Sequence, residues 1–141
     1  MDPYAGLKQR SPSKKADVAA ELVVVLSTKR EDRGLQLITP HTRAVLRNEI
    51  HEFIITDEED ARPTATVNRV ACLCFAEIKK GGVIAWGDKV IVEGRLMGEI
   101  VGFDETHMPN HMNVVIRCGE RKNGFELGVE VGQKMVITDK A

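Results

Sequence analysis

The stretch of sequence that decides the fold covers residues 82–94 and reads GVIAWGDKVIVEG. Short runs of β-branched residues on either side of a Gly-Asp turn are typical of strands joined by a tight connection. Val90 and Val92 alternate with their neighbours, which is the period of a strand that buries one face. This stretch therefore predicts a strand on each side of Gly87.

Glycines in the next segment indicate how such strands bend. Gly94, Gly98 and Gly102 recur at every fourth position within strand-like sequence. Glycine inside a strand marks a bulge or sharp coiling, which is how small barrels close. Further apolar runs cover residues 22–26, 35–38, 50–56, 66–78, 96–103, 111–118, 125–129 and 134–137. They predict a mostly β fold, a small closed or partly open antiparallel β-barrel with at most one or two short helices.

Three local predictions follow from turn and cap signals. Thr39-Pro40 is a helix-start signal and predicts a short helix over residues 41–48. The run at 35–38 is expected to return beside 22–26 as a hairpin across the charged turn Lys29–Gly34. Asn123-Gly124 is expected to close another hairpin turn, with a strand over residues 125–129.

An internal echo links two of the predicted strands. Residues 86–92 read WGDKVIV and residues 131–137 read VGQKMVI. Both place an apolar residue and a glycine before a polar residue and a lysine that opens an apolar strand. The echo predicts one kind of turn used twice. It could come from an old duplication or from a turn pattern that is common in β-barrels.

Composition limits the class of protein. The chain has 141 residues, a net charge of −1 and 4% aromatic residues. Nucleic-acid binding favours a basic excess and aromatic side chains, so no nucleic-acid partner is expected. No apolar run approaches the ~20 residues that cross a bilayer, and the N-terminus lacks a secretory signal. We expect a cytoplasmic protein with no membrane contact, a flexible basic arm over residues 1–16 and a single barrel domain over 17–141.

Cysteines and acidic residues form two further clusters. The three cysteines, Cys72, Cys74 and Cys118, favour reduced thiols in the cytosol. Cys72 and Cys74 would share one face of a strand, where buried, inert thiols are favoured over metal ligands. The carboxylates of Asp57–Asp60 could hold a hard cation, but a solvated loop tip is favoured.

Four motifs in the second half of the chain match one known family. They are Gly87–Val92, Gly98–Gly102, Asn113–Cys118 and Gly128–Val131. Over about residues 70–137 the chain resembles the sorbitol (glucitol) phosphotransferase IIA component, a small β-barrel family. That family accepts a phosphoryl group on a histidine just before the Gly-Asp turn, but the matching residues 74–78 contain no histidine. The resemblance therefore implies the barrel without the transfer reaction, and we expect an uncharacterised family.

The densest cluster of functional side chains lies between two strong strands. Its candidate ligand-binding residues are Asp104, Glu105, His107, Asn110, His111 and Asn113. Three interpretations stay open. The side chains could hydrogen-bond the turn backbone, or they could bind the hydroxyls of a polar ligand. In the third, His107, His111 and Glu105 hold a divalent transition metal, with His51 or Glu52 as a further ligand from a distant strand.

The sequence favours a binding or regulatory module for a small polar ligand, sugar-like or polyol-like, over an enzyme. A homo-oligomer is expected, because exposed sheet edges need cover. One alternative is a small metal-dependent enzyme that uses the loop from Asp104 to His111. The other alternative is a structural subunit of a protein complex.

Overall fold

Strands dominate residues 15–140, the part of the chain that the structure, a computed structural model, describes. The strands are β1 (Val18–Val25), β2 (Lys29–Arg30), β3 (Leu35–Gln36), β4 (Thr42–Val45), β5 (Ile50–Thr56), β6 (Thr66–Val67), β7 (Val70–Lys80), β8 (Gly82–Ala85), β9 (Lys89–Val92), β10 (Arg95–Asp104), β11 (Asn113–Arg117) and β12 (Lys134–Thr138). The one helix in this part of the chain, α1, covers Gly124–Leu127. The predicted mostly β class is confirmed.

Seven strands form a closed ring of hydrogen-bonded neighbours. Their order is β1-β12-β9-β10-β11-β5-β7, and β7 pairs in turn with β1. Every pair in the ring is antiparallel except β11 with β5, which is parallel. β2 pairs with β7, while β3 with β6 and β4 with β8 form separate two-stranded sheets. The predicted closed sheet is therefore confirmed, with one parallel pair that an all-antiparallel prediction did not contain.

Apolar side chains pack on both faces of the ring. Phe53 and Val114 belong to the larger cluster, while Ile54 and Val115 belong to the smaller one. Because successive residues of a strand point to opposite faces, the larger cluster fills the inside of the ring and the smaller lies outside it. The outer cluster is completed by Leu35, Leu37, Ala61, Val67, Val70 and Val101. β5 and β11 are thus held from both sides, which fixes the strands beside the candidate site.

Two bulges bend β10 at glycines. The register shifts between Leu96 and Gly98 against β9, and between Ile100 and Gly102 against β11. Gly98 has a φ of 148°, and a Cβ there would lie 2.4 Å from the carbonyl oxygen of Arg117. Only glycine permits this conformation and this approach, so the prediction of glycine bulges is confirmed.

The turns before β9 and β12 repeat one backbone geometry. Gly87 and Gly132 have φ values of 94° and 91°. Each donates its N–H at 2.8 Å to a carbonyl on a neighbouring strand, Ile100 on β10 and Leu22 on β1. β9 and β12 are themselves antiparallel neighbours. The echo in the sequence therefore marks a repeated structural unit.

The side chain that follows each of these glycines closes its turn in the same way. The Asp88 carboxylate accepts the N–H of Ala85 at 2.9 Å. The Gln133 side-chain oxygen accepts the N–H of Glu130 at 3.0 Å. A carboxylate and an amide oxygen thus accept the same backbone hydrogen bond in the two turns. This explains why Asp in one copy can be replaced by Gln in the other.

The predicted helix over residues 41–48 is wrong. Residues 42–45 form β4, which pairs antiparallel with β8. Val45 is 1% exposed while Ala44 and Leu46 are exposed, so burial follows the period of a strand. The cap signal at Thr39-Pro40 is overridden because the apolar residues after it do not form a helical stripe.

The predicted hairpin across Lys29–Gly34 is also wrong. Residues 35–36 pair with β6 instead of β1, because β12 and β7 occupy both edges of β1. The long strand expected over residues 66–78 is divided into β6 and β7. The division occurs at a turn where Glu58 accepts the N–H groups of Asn68 and Arg69 at 2.9 and 2.8 Å.

The predicted strand over residues 125–129 is a helix. Asn123 caps α1, since its side chain accepts the N–H of Glu126 at 2.8 Å and its own N–H donates to the Glu126 carboxylate at 3.0 Å. This reciprocal pair is a capping box, and it replaces the expected hairpin turn at Asn123-Gly124. Asn123 and Glu126 have the spacing of that motif, which the prediction of a hairpin overlooked.

Cys72 and Cys74 do not share a face. The register between β5 and β7 shifts between Phe53 and Ile54. The shift places Cys74 in the inner cluster and leaves Cys72 half-buried outside it. Burial raises the pKa of each thiol to about 12, and the nearby Glu52 carboxylate adds to the increase. The predicted burial is confirmed for Cys74, whereas Cys72 is half-buried, and their predicted shared face is wrong.

Most of the predicted basic arm, residues 1–14, lies outside the described residues. Lys15, its last basic residue, pairs with Asp88 at 2.6 Å and donates to the carbonyl of Val83 at 3.1 Å. The start of β1 is thus tied to the turn before β9. No helix in residues 15–140 is long and apolar enough to span a membrane.

Candidate functional site

A row of four side chains crosses the outer face of the ring beneath the predicted loop. Strand pairing aligns Asp104 with Asn113, Asn113 with Glu52, and Glu52 with Phe75. Residues paired in this way lie on the same face of a sheet. The row therefore runs over β10, β11, β5 and β7, and the loop of residues 105–112 connects two of these strands.

Asp104 braces the start of this loop. Its carboxylate accepts the N–H groups of Gln36 at 2.8 Å and Thr106 at 2.9 Å, and the side-chain amide of Asn113 at 3.1 Å. Burial alone would raise the pKa of Asp104, but these hydrogen bonds outweigh it and lower the pKa below its ordinary value. The charged carboxylate is occupied by these three hydrogen bonds within the fold, so Asp104 positions the loop.

Glu105 lies apart from the histidines. Its carboxylate pairs with the guanidinium of Arg43 on β4. In residues 15–140, no group of three or more His, Cys, Asp or Glu side chains is placed to hold a metal ion. Of the predicted metal set His107, His111 and Glu105, only the two histidines are brought together.

The two loop histidines stack on each other. The ring centroids of His107 and His111 lie 5.0 Å apart at an interplanar angle of 33°. Nδ1 of His111 lies 2.8 Å from the Asn110 side-chain oxygen, and its ring meets Phe75 edge-on with centroids 5.0 Å apart. Nε2 of His107 is 3.2 Å from the Arg33 guanidinium. His111 is thus held from three sides, with His107 as its outer neighbour.

Glu52 approaches the other nitrogen of His111. Nε2 of His111 lies 3.5 Å from a Glu52 carboxylate oxygen, and the two side chains are only 14% and 12% exposed. This distance is too long for a well-formed hydrogen bond. Burial lowers the pKa of His111, and the Glu52 charge only partly opposes that effect. The neutral imidazole of His111 has one N–H group, which can donate to only one of its two neighbouring oxygens, that of Asn110 or that of Glu52. The other ring nitrogen keeps a lone pair.

His51 and Glu49 secure the opposite wall. Nδ1 of His51 accepts the N–H of Met112 at 3.0 Å, which leaves the ring proton on Nε2, 3.0 Å from Glu49 Oε1. The same Glu49 oxygen accepts the N–H of Leu46 at 3.0 Å. Burial would raise the pKa of Glu49, but the hydrogen bonds from Leu46 and His51 outweigh it and lower the pKa. Glu49 is therefore a charged carboxylate at neutral pH.

These walls enclose a cavity of about 500 Å³. It is lined by Asn48, Glu49, Ile50, His51, Phe75, Met108, Pro109, Asn110 and His111. Two of the six predicted ligand-binding residues, Asn110 and His111, line the cavity. His107 stacks behind His111, Asp104 and Asn113 lie in the row beneath the loop, and Glu105 is turned to Arg43.

Sequence reasoning missed Asn48, Glu49 and Phe75. Asn48 has a φ of 79° and forms the tight turn before β5, and an Asn in a polar segment is the only signal of that turn. Phe75 lies within an apolar run and resembles a core residue. Only the pairing of β5 with β7 places its half-buried ring beside the loop.

Two buried polar atoms beside Glu52 have no hydrogen-bond partner in the described part of the chain. They are Nε2 of His111 and Oδ1 of Asn113. Asn113 is fully buried and is the register partner of Glu52. Buried polar groups are nearly always hydrogen-bonded in folded proteins, so these two atoms are exceptions to that rule.

Comparison with known proteins places the chain in a family but attaches no activity to it. No curated protein matches the chain, and no solved structure matches it. Nothing in these comparisons tests the resemblance to the sorbitol phosphotransferase IIA component, which stays a prediction. A model of one family matches residues 12–138, most of the chain. The chain therefore belongs to the DUF6917 family, a family of unknown function.

Proposed function

We propose that this chain is a binding module for a small polar molecule, sugar-like or polyol-like, held in the cavity beside His111. The carrying observation is a cavity of about 500 Å³ that places two amides, a carboxylate and an imidazole around an aromatic ring. Sites for small molecules have volumes of about 300–1,000 Å³, with a few polar groups set in an apolar lining.

The chemistry of the lining suits hydroxyl groups. A hydroxyl both donates and accepts hydrogen bonds, and the side-chain amides of Asn48 and Asn110 can answer both roles. The Glu49 carboxylate accepts hydrogen bonds from such a group. Phe75 and Pro109 provide apolar surface that would pack against the C–H groups of a polyol or sugar ring.

The loop is held in shape before any ligand arrives. Asp104 fixes its first residues, and His51 fixes its last through the N–H of Met112. Within the loop, Asn110 donates its N–H to the carbonyl of His107 at 2.9 Å. A loop ordered in advance loses less entropy when it grips a ligand, which favours binding.

The test is a titration of isotope-labelled protein with neutral hexitols and hexoses, followed by backbone amide chemical shifts. Millimolar concentrations are used, because polyols at high concentration stabilise any protein by exclusion from its surface. We expect saturable shifts confined to residues 48–51, 75 and 108–111, which carry the cavity.

Two variants test whether binding takes place in the cavity. Asn110→Ala removes one lining amide and should weaken binding about tenfold, the equivalent of one hydrogen bond. Gln36→Ala removes an exposed side-chain amide outside the cavity and should leave binding unchanged. Absence of saturable shifts with every compound would refute the proposal. Stoichiometric transition metal in untagged protein would favour the metal-dependent enzyme instead.

The expectations of a cytoplasmic location and of a homo-oligomer remain predictions. Scattering mass measurements on the purified chain test the oligomer. If no ligand binds and the chain is found in a stable complex with another protein, a structural subunit becomes the favoured function.

A further inference from the structure

The cavity wall carries negative charge and no positive charge. Glu49 is the only Asp, Glu, Lys or Arg among the residues that line it, and its pKa lies below the ordinary value. Its Oε1 receives the hydrogen bonds from Leu46 and His51. None of the hydrogen bonds in residues 15–140 uses Oε2, so this oxygen is open to a donor in the cavity.

Glu52 adds a second carboxylate behind His111. Its side chain is 12% exposed, and within the described residues its only ion-pair neighbour is the His111 imidazole at 3.5 Å. Burial keeps that imidazole neutral at neutral pH, so it does not cancel the charge. The guanidinium of Arg33 contacts His107, and that of Arg43, whose charge also lowers the pKa of Glu49, pairs with Glu105. Neither arginine lines the cavity. A mostly buried carboxylate without a cation is costly and attracts one.

Phe75 supplies an aromatic surface that, like the two carboxylates, attracts cations. Its half-buried ring lines the same cavity and lies at 82° to the ring of His111, with the centroids 5.0 Å apart. The face of an aromatic ring carries partial negative charge and attracts ammonium groups. One carboxylate and an aromatic ring thus line the same cavity, with a second carboxylate behind His111, and each of these groups favours a cation.

We infer that the ligand carries an amino group, as an amino polyol or amino sugar does, and that phosphorylated counterparts are excluded. This inference rests on the proposed function, since it names the class of ligand for the same cavity. The ammonium group donates to Oε2 of Glu49 and lies over Phe75, while the hydroxyl groups meet Asn48 and Asn110. A phosphate ester would bring its negative charge against Glu49 and Glu52 with no Lys or Arg among the lining residues.

The experiment compares three matched compounds by calorimetric titration of the full chain. They are a linear hexitol, the corresponding 1-amino-1-deoxyhexitol and the corresponding hexitol 1-phosphate. We expect the amine to bind at least about tenfold more tightly than the neutral hexitol, with no measurable binding of the phosphate. The preference for the amine should shrink when salt is raised, because salt screens the charges.

Glu49→Gln tests the group that carries the inference. Glutamine keeps an oxygen for Leu46 and His51 and replaces Oε2 by an NH₂ group, so the turn is retained. The variant should lose the preference for the amine and keep its affinity for the neutral hexitol within about twofold. Glu120→Gln, an exposed residue at the edge of a separate cavity, is the matched control and should keep the preference.

The outcomes separate this inference from the proposed function. Equal binding of amine and neutral hexitol, or tightest binding of the phosphate, overturns the inference and leaves the binding function standing. Loss of amine preference in Glu120→Gln as well as in Glu49→Gln also overturns it, because the effect is then one of overall charge. Failure of all three compounds to bind overturns both.

Discussion

Asn113 donates its side-chain amide to the carboxylate of Asp104 at 3.1 Å, across the paired ends of β10 and β11. This hydrogen bond separates the polar cluster that the sequence predicted into two parts with different roles. Asp104 and Asn113 form a buried support, and Asn110 and His111 are carried on it into the cavity wall. Changes to the support should affect folding, while changes to the wall should affect binding.

Asp104→Asn should destabilise the fold by about 2 kcal/mol, because an amide NH₂ would face buried N–H donors that now share a carboxylate. Chemical denaturation measures this loss. The pKa of Asp104 lies below its ordinary value of 3.8, so its contribution is present above pH 3.8 and lost as pH falls through the folded value. Glu105→Gln, at a half-exposed ion pair, should cost less than about 1 kcal/mol. Equal losses in the two variants would contradict the assigned support.

His111 should make stability depend on pH below 6.5, the ordinary pKa of an imidazole. Its folded pKa is lowered, so the unfolded chain takes up the proton first and stability falls as pH falls through this range. Urea midpoints at about pH 7.5 and about pH 5.5 should differ less in His111→Gln than in the native chain. His41→Gln, an exposed imidazole, is the control and should keep the native slope. An unchanged slope in His111→Gln would show that this ring is not the sensor.

Gly98→Ala should destabilise the ring by roughly 1–3 kcal/mol or more, since its Cβ meets backbone and φ is unfavourable. The new atom would lie 2.4 Å from the Arg117 carbonyl oxygen. Gly119→Ala is the matched control, because nothing lies within 4 Å of a Cβ there. Thermal unfolding of both variants measures the difference. Similar midpoints for the two would mean that the strands do not approach as closely as described.

Gly87→Ala and Gly132→Ala should be destabilised by similar amounts, about 1–2 kcal/mol each. Neither position has an atom within 4 Å of a Cβ, so only the positive φ opposes alanine. The similarity tests the repeated turn, because unrelated turns would have no reason to respond alike. Denaturant unfolding of the two single variants provides the measurement, and a difference greater than about 1 kcal/mol would argue against equivalence.

Cys72 and Cys74 should resist thiol reagents until the chain unfolds. With a pKa of about 12, only about one thiol in ten thousand is ionised at pH 8. Colourimetric labelling with an aromatic disulfide should show both residues reacting only in denaturant. Cys118→Ser removes the remaining cysteine and isolates this slow phase. Rapid labelling of the folded Cys118→Ser protein would contradict the described burial.

Local strands were predictable because their signals are local. Residues 50–56 and 89–92 are found as strands since β-branched residues recur there, and the glycine bulges follow from Gly98 and Gly102. The order of strands was not predictable. β1 pairs with β12 and β7, and such pairings depend on contacts between residues far apart in sequence, which no local pattern encodes.

The candidate site was predictable to a similar degree. Asn110 and His111 were identified because polar residues concentrated between two strands are typical of binding loops. Glu49 and Phe75 join them only through the pairing of β5 with β7 and through the turn at Asn48. The prediction therefore missed Glu49 and Phe75 for the same reason that it missed the strand order, because both depend on pairing between distant segments.

The pairing of Val18–Glu21 with Lys134–Ile137 has a consequence for synthesis of the protein. While the chain is being translated, the edge of β1 that β12 covers stays open until β12 has left the ribosome. An open strand edge invites pairing with other chains, which makes the nascent protein prone to aggregate.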